Sequence, residues 1–330
     1  MMGATIKSIG IYRPELEVTN AFFEAYLETS DEWIRERTGI ERRYFSSEDE
    51  YTSDLCVKAV EALKKNHHTS VDDVDFVIVA TSTPDQILPN VASRVQARLG
   101  ISNAGCIDLS AACGGFVYGL ILAKGLIAAQ THRRILVIGA ETLSKAIDLS
   151  DRNSCILFGD GAGAVIVEAS SDNHVFEPLT DTDGSLGKEL FISHLSQTVD
   201  GEPILGDGKM HQNGRAVFRW AVSTLVKNIP VLLEKNKMTL EQVDYLIPHS
   251  ANIRILEAVC KNLDFPMERC MESVRSYGNT SAASIPIAWY NGLASGKIKQ
   301  NDQLLLIGFG GGLTCAGICL ENKIVLGEAD

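Results

Sequence analysis

Three segments of this 330-residue chain hold residue types that can do covalent chemistry together. Cys113 lies in Asp108-Leu109-Ser110-Ala111-Ala112-Cys113-Gly114-Gly115-Phe116, where a short strand gives way to a long apolar helix. A thiol at a helix N-terminus feels the positive end of the macrodipole, which predicts a lowered pKa and a larger thiolate fraction. Gly114 and Gly115 remove side-chain bulk where a substrate would approach. His249 lies in Ile247-Pro248-His249-Ser250-Ala251-Asn252, just after an apolar strand, and Asn279 lies in Gly278-Asn279-Thr280-Ser281 at another strand-to-helix junction. Cysteine, histidine and asparagine converging at one end of a fold make a nucleophile with two polar partners. The run Gly308-Phe309-Gly310-Gly311-Gly312 offers backbone N–H groups that can stabilise an oxyanion. Among the remaining cysteines, Cys56, Cys155, Cys260, Cys270 and Cys319 read as packed core thiols. The other six histidines, at 67, 68, 132, 174, 194 and 211, fall at helix ends, turns or insertions and read as solvated.

The elements that must hold these residues repeat along the chain. Ser70–Ile78 resembles Thr239–Ile247, Ile135–Gly139 resembles Leu304–Gly308, and Val57-Lys58 meets Val226-Lys227, all at a shift of 169 residues. A common offset over such a length predicts two halves of one topology. His249 then corresponds to Ala80, and Asn279 to Ser110, three residues before Cys113. Within the first half, helices are expected over 51–66 (with Thr52 and Ser53 as caps), 91–99 and 112–129. Strands are expected over 74–81, 106–109 and 134–139, and residues 154–169 read as strand, glycine turn, strand. Continuous apolar runs such as Val77-Ile78-Val79-Ala80 suit strands buried on both faces, so the chain reads as α/β with mostly parallel sheets covered by helices. Residues 14–44 and 180–215 read as insertions, where function often sits.

Composition narrows the functional class. The chain is 45% hydrophobic and 22% charged, with 30 basic against 42 acidic residues, a net charge of −12. An anionic surface of that size disfavours nucleic acid as a partner, and an acidic partner would need a local basic patch. No uninterrupted apolar run reaches the ~18 residues of a membrane span. The N-terminus lacks signal-peptide character, so a cytoplasmic protein with reduced thiols is expected. Cys315 and Cys319 lack neighbouring histidines and no CxxC pair occurs, so no metal is expected. Gly159–Ala164 satisfies GxGxxA, but Val165-Ile166-Val167 follows where a dinucleotide fold needs a helix.

These segments closely resemble the β-ketoacyl-acyl carrier protein synthase III family, and the resemblance covers essentially the whole chain. It includes Thr29–Ile34, Arg37–Ile40, Ala111–Gly115, Phe158–Gly163, Pro248–Asn252, Gly278–Ser284 and Phe309–Gly312. The resemblance implies a thiolase-like fold: duplicated βαβαβαββ halves in a five-layered αβαβα arrangement, divided at 1–172 and 173–330, as a homodimer. It implies an acyltransferase of fatty-acid biosynthesis. Cys113 takes the acyl group of an acyl-CoA, His249 and Asn279 support decarboxylation of malonyl-acyl carrier protein, and the backbone N–H groups of Cys113 and Gly311 form the oxyanion hole. No cofactor is implied, because loss of carbon dioxide drives the bond formation.

The same resemblance implies that Trp33, Arg37, Arg152 and Asn252 bind CoA and that Phe309 sits beside the malonyl group. Leu88 stands where acetyl-selective members carry a phenylalanine lining the partner's acyl pocket, which makes room for branched four- or five-carbon primers. Arg254 and Lys261, seven apart on one helix face, with Arg219, are expected to dock the acidic carrier protein. Ser250 replaces a glutamine common after the histidine, without evident effect on catalysis. The competing readings are a chalcone synthase-like or hydroxymethylglutaryl-CoA synthase-like enzyme, a starter enzyme of secondary metabolism, and a non-catalytic acyl-CoA-binding module. The intact Cys113, His249 and Asn279 disfavour the last.

Overall fold

The computed structural model describes residues 2–327. Met1 and residues 328–330, the outer ends of the two expected halves, lie outside them. Strands β1 (Gly3–Tyr12), β2 (Phe76–Ala80), β3 (Gly105–Leu109), β4 (Arg134–Glu141) and β5 (Gly161–Ser170) form one sheet in the order β1-β5-β4-β2-β3. Strands β6 (Leu179–Thr182), β7 (Tyr245–Pro248), β8 (Gln303–Gly310) and β9 (Thr314–Glu321) form a second in the order β7-β8-β9-β6. β2 runs parallel to β3 and β4, and β7 parallel to β8, while β5 and β9 close each half antiparallel.

The principal helices are α1 (Asp31–Thr38), α2 (Thr52–His67), α3 (Val91–Arg98), α4 (Gly115–Ala128), α5 (Gly214–Lys235), α6 (Ile253–Leu263) and α7 (Ser284–Ala294). Alternate residues of each sheet face different cores, which is why its strands read as continuous apolar runs. Leu136 and Ile138 of β4 pack outward with Leu55 and Ala59 of α2 and Val91 and Val95 of α3. Ile135 and Val137 pack inward with Phe116 and Leu120 of α4, Trp289 of α7, and Leu304 and Leu306 of the other sheet. Leu305 and Ile307 face outward again, against Leu225 and Ile229 of α5 and Leu256 of α6. The five layers αβαβα follow, with α4 and α7 as the central one. α5 has the length and hydropathy to cross a membrane, but its apolar stripe (Ala221, Leu225, Ile229, Leu232) is buried in this outer core.

The 169-residue repeat holds in the folded chain. β2 and β7 begin, and β4 and β8 begin and end, at positions that differ by that offset. So do two 3₁₀ turns, Ala112–Gly114 and Ser281–Ala283, and the first residues of the helices α4 and α7 that follow them. Even the strained residue opening each turn repeats: Ala112 has φ 45° and Ser281 φ 47°. Each turn is nested on a glycine of the opposite sheet. A Cβ on Gly308 would lie 2.7 Å from the Gly114 Cα, and one on Gly139 would lie 2.3 Å from the Ala282 carbonyl oxygen.

Three local expectations need correction. The N-cap of α2 is Tyr51, whose N–H donates to Asp54 Oδ2 (2.8 Å), and the Ser53 N–H donates to Asp85 rather than being a cap itself. Residues 154–157 form turns instead of a strand, because the Ser154 and Cys155 N–H groups donate back to the Asp151 carbonyl. Gly161 opens β5, and no helix follows the glycines. In the second half, the counterpart of β3 is the helical turn Val274–Tyr277, and only Cys270 bridges to Leu246.

Candidate active site

Cys113 sits in the 3₁₀ turn that links β3 to α4, packed against the end of β8. A Cβ on Gly310 would meet the Cys113 backbone nitrogen at 2.9 Å and its sulfur at 3.2 Å, so only glycine permits this approach. The thiol is 7% exposed. Burial pushes its pKa up to about 12, with the neighbouring Ser281 side chain acting against the shift. This reverses the expectation of a depressed pKa. A rise from 9 to about 12 is worth on the order of 4 kcal/mol, whereas a helix terminus offers at best ~2 kcal/mol. Desolvation wins, and Cys113 rests as a neutral thiol.

His249 follows β7 and is fixed by its N–H donating to the Ile307 carbonyl at 2.8 Å. The ring is buried, edge-on to Phe309 with centroids 5.0 Å apart. Burial lowers its pKa to about 3, against a backbone hydrogen bond at Ser281. The imidazole is therefore neutral at physiological pH. Its Nδ1 lies 2.7 Å from the Ser284 hydroxyl, which also accepts the Ser250 N–H at 3.3 Å. Were that hydroxyl to donate to Nδ1, the neutral ring would carry its proton on Nε2.

Asn279 is clamped by its backbone: its N–H donates to Leu157 (2.8 Å) and its carbonyl accepts from Gly159 (3.0 Å). The turns at 154–158 thus hold the asparagine from the first half of the chain. Its side-chain Oδ1 accepts the Ser281 N–H at 2.9 Å. Its amide nitrogen has no protein acceptor among the described residues and is left as a donor at the cavity it lines.

Cys113, His249, Asn279, Phe309 and Gly311 all line one cavity of about 650 Å³. It opens into an outer cavity of about 1100 Å³ through shared walls at Leu157, Gln212, Gly214, Phe218 and Asn252. The outer walls carry Trp33 and four arginines, Arg37, Arg215, Arg219 and Arg254, and, among the described residues, no carboxylate. Arg37 and Arg152 both stack on the Trp33 ring, at 5.6 and 5.0 Å, and Arg152 is anchored by donating to the Glu28 carbonyl. Asn252 caps α6 and its amide donates to the Arg37 carbonyl at 3.1 Å. The seven-residue spacing puts Lys261 two turns of α6 beyond Arg254, outside the cavity and exposed.

Not every expected residue reaches the site within one chain. Leu88 is 81% exposed and lines no part of its own chain's cavity, where the adjacent Ile87 does. His67 is half-buried, its Nε2 bonded to the Ile9 backbone, rather than solvated. His174 and His211 pair with Glu321 and Asp207. Sequence reasoning missed Arg215, which lies one turn before Arg219, and Ser281 and Ser284, which were in view inside the Gly278–Ser284 segment but carried no assigned role. It also missed Glu141, a buried carboxylate that reads as a strand end. Among the described residues no group of histidine, cysteine or acidic side chains is placed to hold a metal ion.

Comparison with known proteins places this arrangement. Residues 107–184 match the family model described as 3-oxoacyl-[acyl-carrier-protein] synthase III, and residues 233–322 match its C-terminal model. The chain is 47% identical over 319 residues to the β-ketoacyl-[acyl-carrier-protein] synthase III 2 of Halalkalibacterium halodurans, covering 96% of each. It is 43% identical to the enzyme of that name from Bacillus subtilis, over 97% of this chain and 99% of the relative. The crystal structure of β-ketoacyl-[acyl carrier protein] synthase III from Thermus thermophilus superposes with a TM-score of 0.93 at 42% identity, over 96% of this chain and 98% of that one.

Proposed function

The chain belongs to the 3-oxoacyl-[acyl-carrier-protein] synthase III family, and from that premise we propose that it joins a short acyl-CoA primer to malonyl-acyl carrier protein. The product is a 3-oxoacyl-acyl carrier protein, with CoA and carbon dioxide released, and the step starts a fatty-acid chain. The observation that carries this reading is the shared cavity of Cys113, His249 and Asn279, which adjoins an arginine-rich mouth.

In the first half-reaction the Cys113 sulfur attacks the primer's thioester carbonyl. The carbon–sulfur bond to CoA breaks, and CoA leaves as a thiol carrying the proton that Cys113 gives up. Backbone N–H groups of Cys113 and Gly311 face the developing oxyanion, and losing one such donor typically costs ~10²–10³ in rate. In the second half-reaction the malonyl carboxylate leaves as carbon dioxide, and the bonding pair becomes an enolate. The Nε2–H of neutral His249 and the Asn279 amide donate to that enolate oxygen without transferring a proton. The enolate carbon then attacks the acyl-Cys113 carbonyl, the carbon–sulfur bond breaks, and the thiolate takes one proton from solvent. No added cofactor is needed in this scheme.

The adenine of CoA lies at Trp33 with Arg152 and Arg37 beside it, and Asn252 meets the pantetheine arm. Arginine suits this because its planar guanidinium both stacks and pairs with phosphate. Arg219, Arg254 and Lys261 receive the acidic carrier protein. The nucleophile belongs to the half spanning 1–172, and the histidine and asparagine to the half spanning 173–330. The exposed Ile87-Leu88 segment supports a homodimer in which Leu88 of one copy borders its partner's acyl pocket.

The test supplies malonyl-acyl carrier protein with acetyl-, isobutyryl-, isovaleryl- and 2-methylbutyryl-CoA, and follows product by mass. Condensation with at least one primer is expected, and none with any would sink the reading. Cys113→Ala abolishes the acyl-enzyme. His249→Ala leaves Cys113 acylation largely intact and removes decarboxylation; equal loss of both half-reactions contradicts these roles.

A further inference from the structure

Glu141, the last residue of β4, is fully buried just behind the cavity wall. Its carboxylate receives the Ser82 N–H at 3.1 Å and the hydroxyls of Thr81 (3.3 Å), Thr83 (2.6 Å) and Ser281 (2.9 Å). Among the described residues no lysine or arginine pairs with it. An ionisable side chain taken out of water without a countercharge costs several kcal/mol even when hydrogen-bonded, so packing alone does not account for it. Burial pushes its pKa to about 7.

One of its four donors belongs to the active site. Ser281 is held in the left-handed region at φ 47°, which a residue with a Cβ adopts only under strain. Its N–H fixes the Asn279 amide through Oδ1, its side chain acts on the Cys113 thiol, and its backbone hydrogen-bonds the His249 ring. Among the described residues, the bond that anchors the Ser281 hydroxyl outside the site is the one to Glu141. The 169-residue repeat adds a second observation. The position equivalent to Glu141 is Gly310, the residue pressed against Cys113, and the position equivalent to Cys113 is Ala282. The fold thus keeps the carboxylate on the opposite side of its pseudo-twofold axis, one hydroxyl removed from the nucleophile.

We propose that Glu141 is a positioning residue for the condensation: by anchoring the Ser281 hydroxyl it holds the strained turn that aims the Asn279 amide at the enolate position and sets the surroundings of Cys113. This rests on the catalytic roles proposed above. It extends the site to a residue that touches no substrate.

The test compares Glu141→Gln, Ser281→Ala and the double variant by thermal unfolding, by kcat and KM, and by the pH profile of Cys113 alkylation with iodoacetamide. In E141Q, kcat for condensation falls about tenfold or more while KM for acyl-CoA changes less than twofold. The double variant is no more than twofold worse than the weaker single, because both act through one hydroxyl. Full kcat in a folded E141Q, or multiplicative losses in the double variant, would overturn the proposal. Alkylation needs no substrate, so it separates failure of this proposal from failure of the proposed function. Removing the negative charge shifts the E141Q profile to lower pH, and an unchanged profile counts against the proposal. Should E141Q not fold, S281A carries the test, and an undiminished kcat there overturns it equally.

Discussion

Cys113 is kept as a thiol by the same burial that protects it from water, so its reactivity is gated by proton removal. With its pKa pushed up to about 12, the thiolate fraction grows with pH throughout the neutral range. Alkylation of the free enzyme by iodoacetamide therefore rises about tenfold per pH unit between 7 and 9.5 without a plateau, measured by intact mass. A plateau near pH 7 would show a depressed pKa. The opposite shift of His249 has its own consequence for stability. Its folded pKa of about 3 lies below the unfolded value of ~6.5. The unfolded state therefore binds the extra proton, and the contribution is full above about 6.5 and lost as pH falls toward 3. Cys113 was legible because it stands where a strand gives way to a long helix, and His249 and Asn279 because the 169-residue offset maps them onto Ala80 and Ser110. The direction of the Cys113 shift was not, because the desolvating wall, Phe309 and Gly310, comes from the other half of the chain. Glu141 was illegible for a related reason: its partners at 81–83 and 281 meet only after folding.

At the scale of elements, the repeat was the strongest signal in the sequence, and it placed β2, β4, β7 and β8 nearly to the residue. It failed where the halves differ in their side-chain bonding. The Ser273 N–H donates to the Ser250 hydroxyl and the Ser273 hydroxyl to the Ser284 carbonyl. These bonds draw the segment onto α7, where the first half has a strand. The nested glycines give a matched pair of predictions. Gly139→Ala and Gly308→Ala each push a Cβ into backbone, and each costs roughly 1–3 kcal/mol in unfolding free energy, as overpacking does. Gly308→Ala displaces the turn bearing Cys113 itself, so beyond the loss of folded protein it slows acyl-enzyme formation more than Gly139→Ala, which displaces the turn bearing Ser281. Equal rates of acyl-enzyme formation per folded molecule in the two variants would contradict this division.

Over the whole molecule, a net charge of −12 coexists with a mouth whose four arginines face no carboxylate among the described residues. The surface as a whole repels an acidic protein, and that mouth attracts it over a distance set by screening, about 10 Å at 0.1 M salt. Raising sodium chloride from 50 to 300 mM is expected to increase KM for malonyl-acyl carrier protein several-fold, and Arg254→Glu to remove most of that dependence, by steady-state kinetics. The pseudo-twofold relation of the halves has one more consequence. Two identical subunits assembled this way would have to carry the same residue at every equivalent pair of positions. A cysteine at 113 would then bring its duplicate at 282, and the histidine its duplicate at 80. Joining the halves in one polypeptide lifts that obligation. Ala282 and Ala80 stand where the duplicates would be, and a single cavity is lined by Cys113 from one half and by His249 and Asn279 from the other.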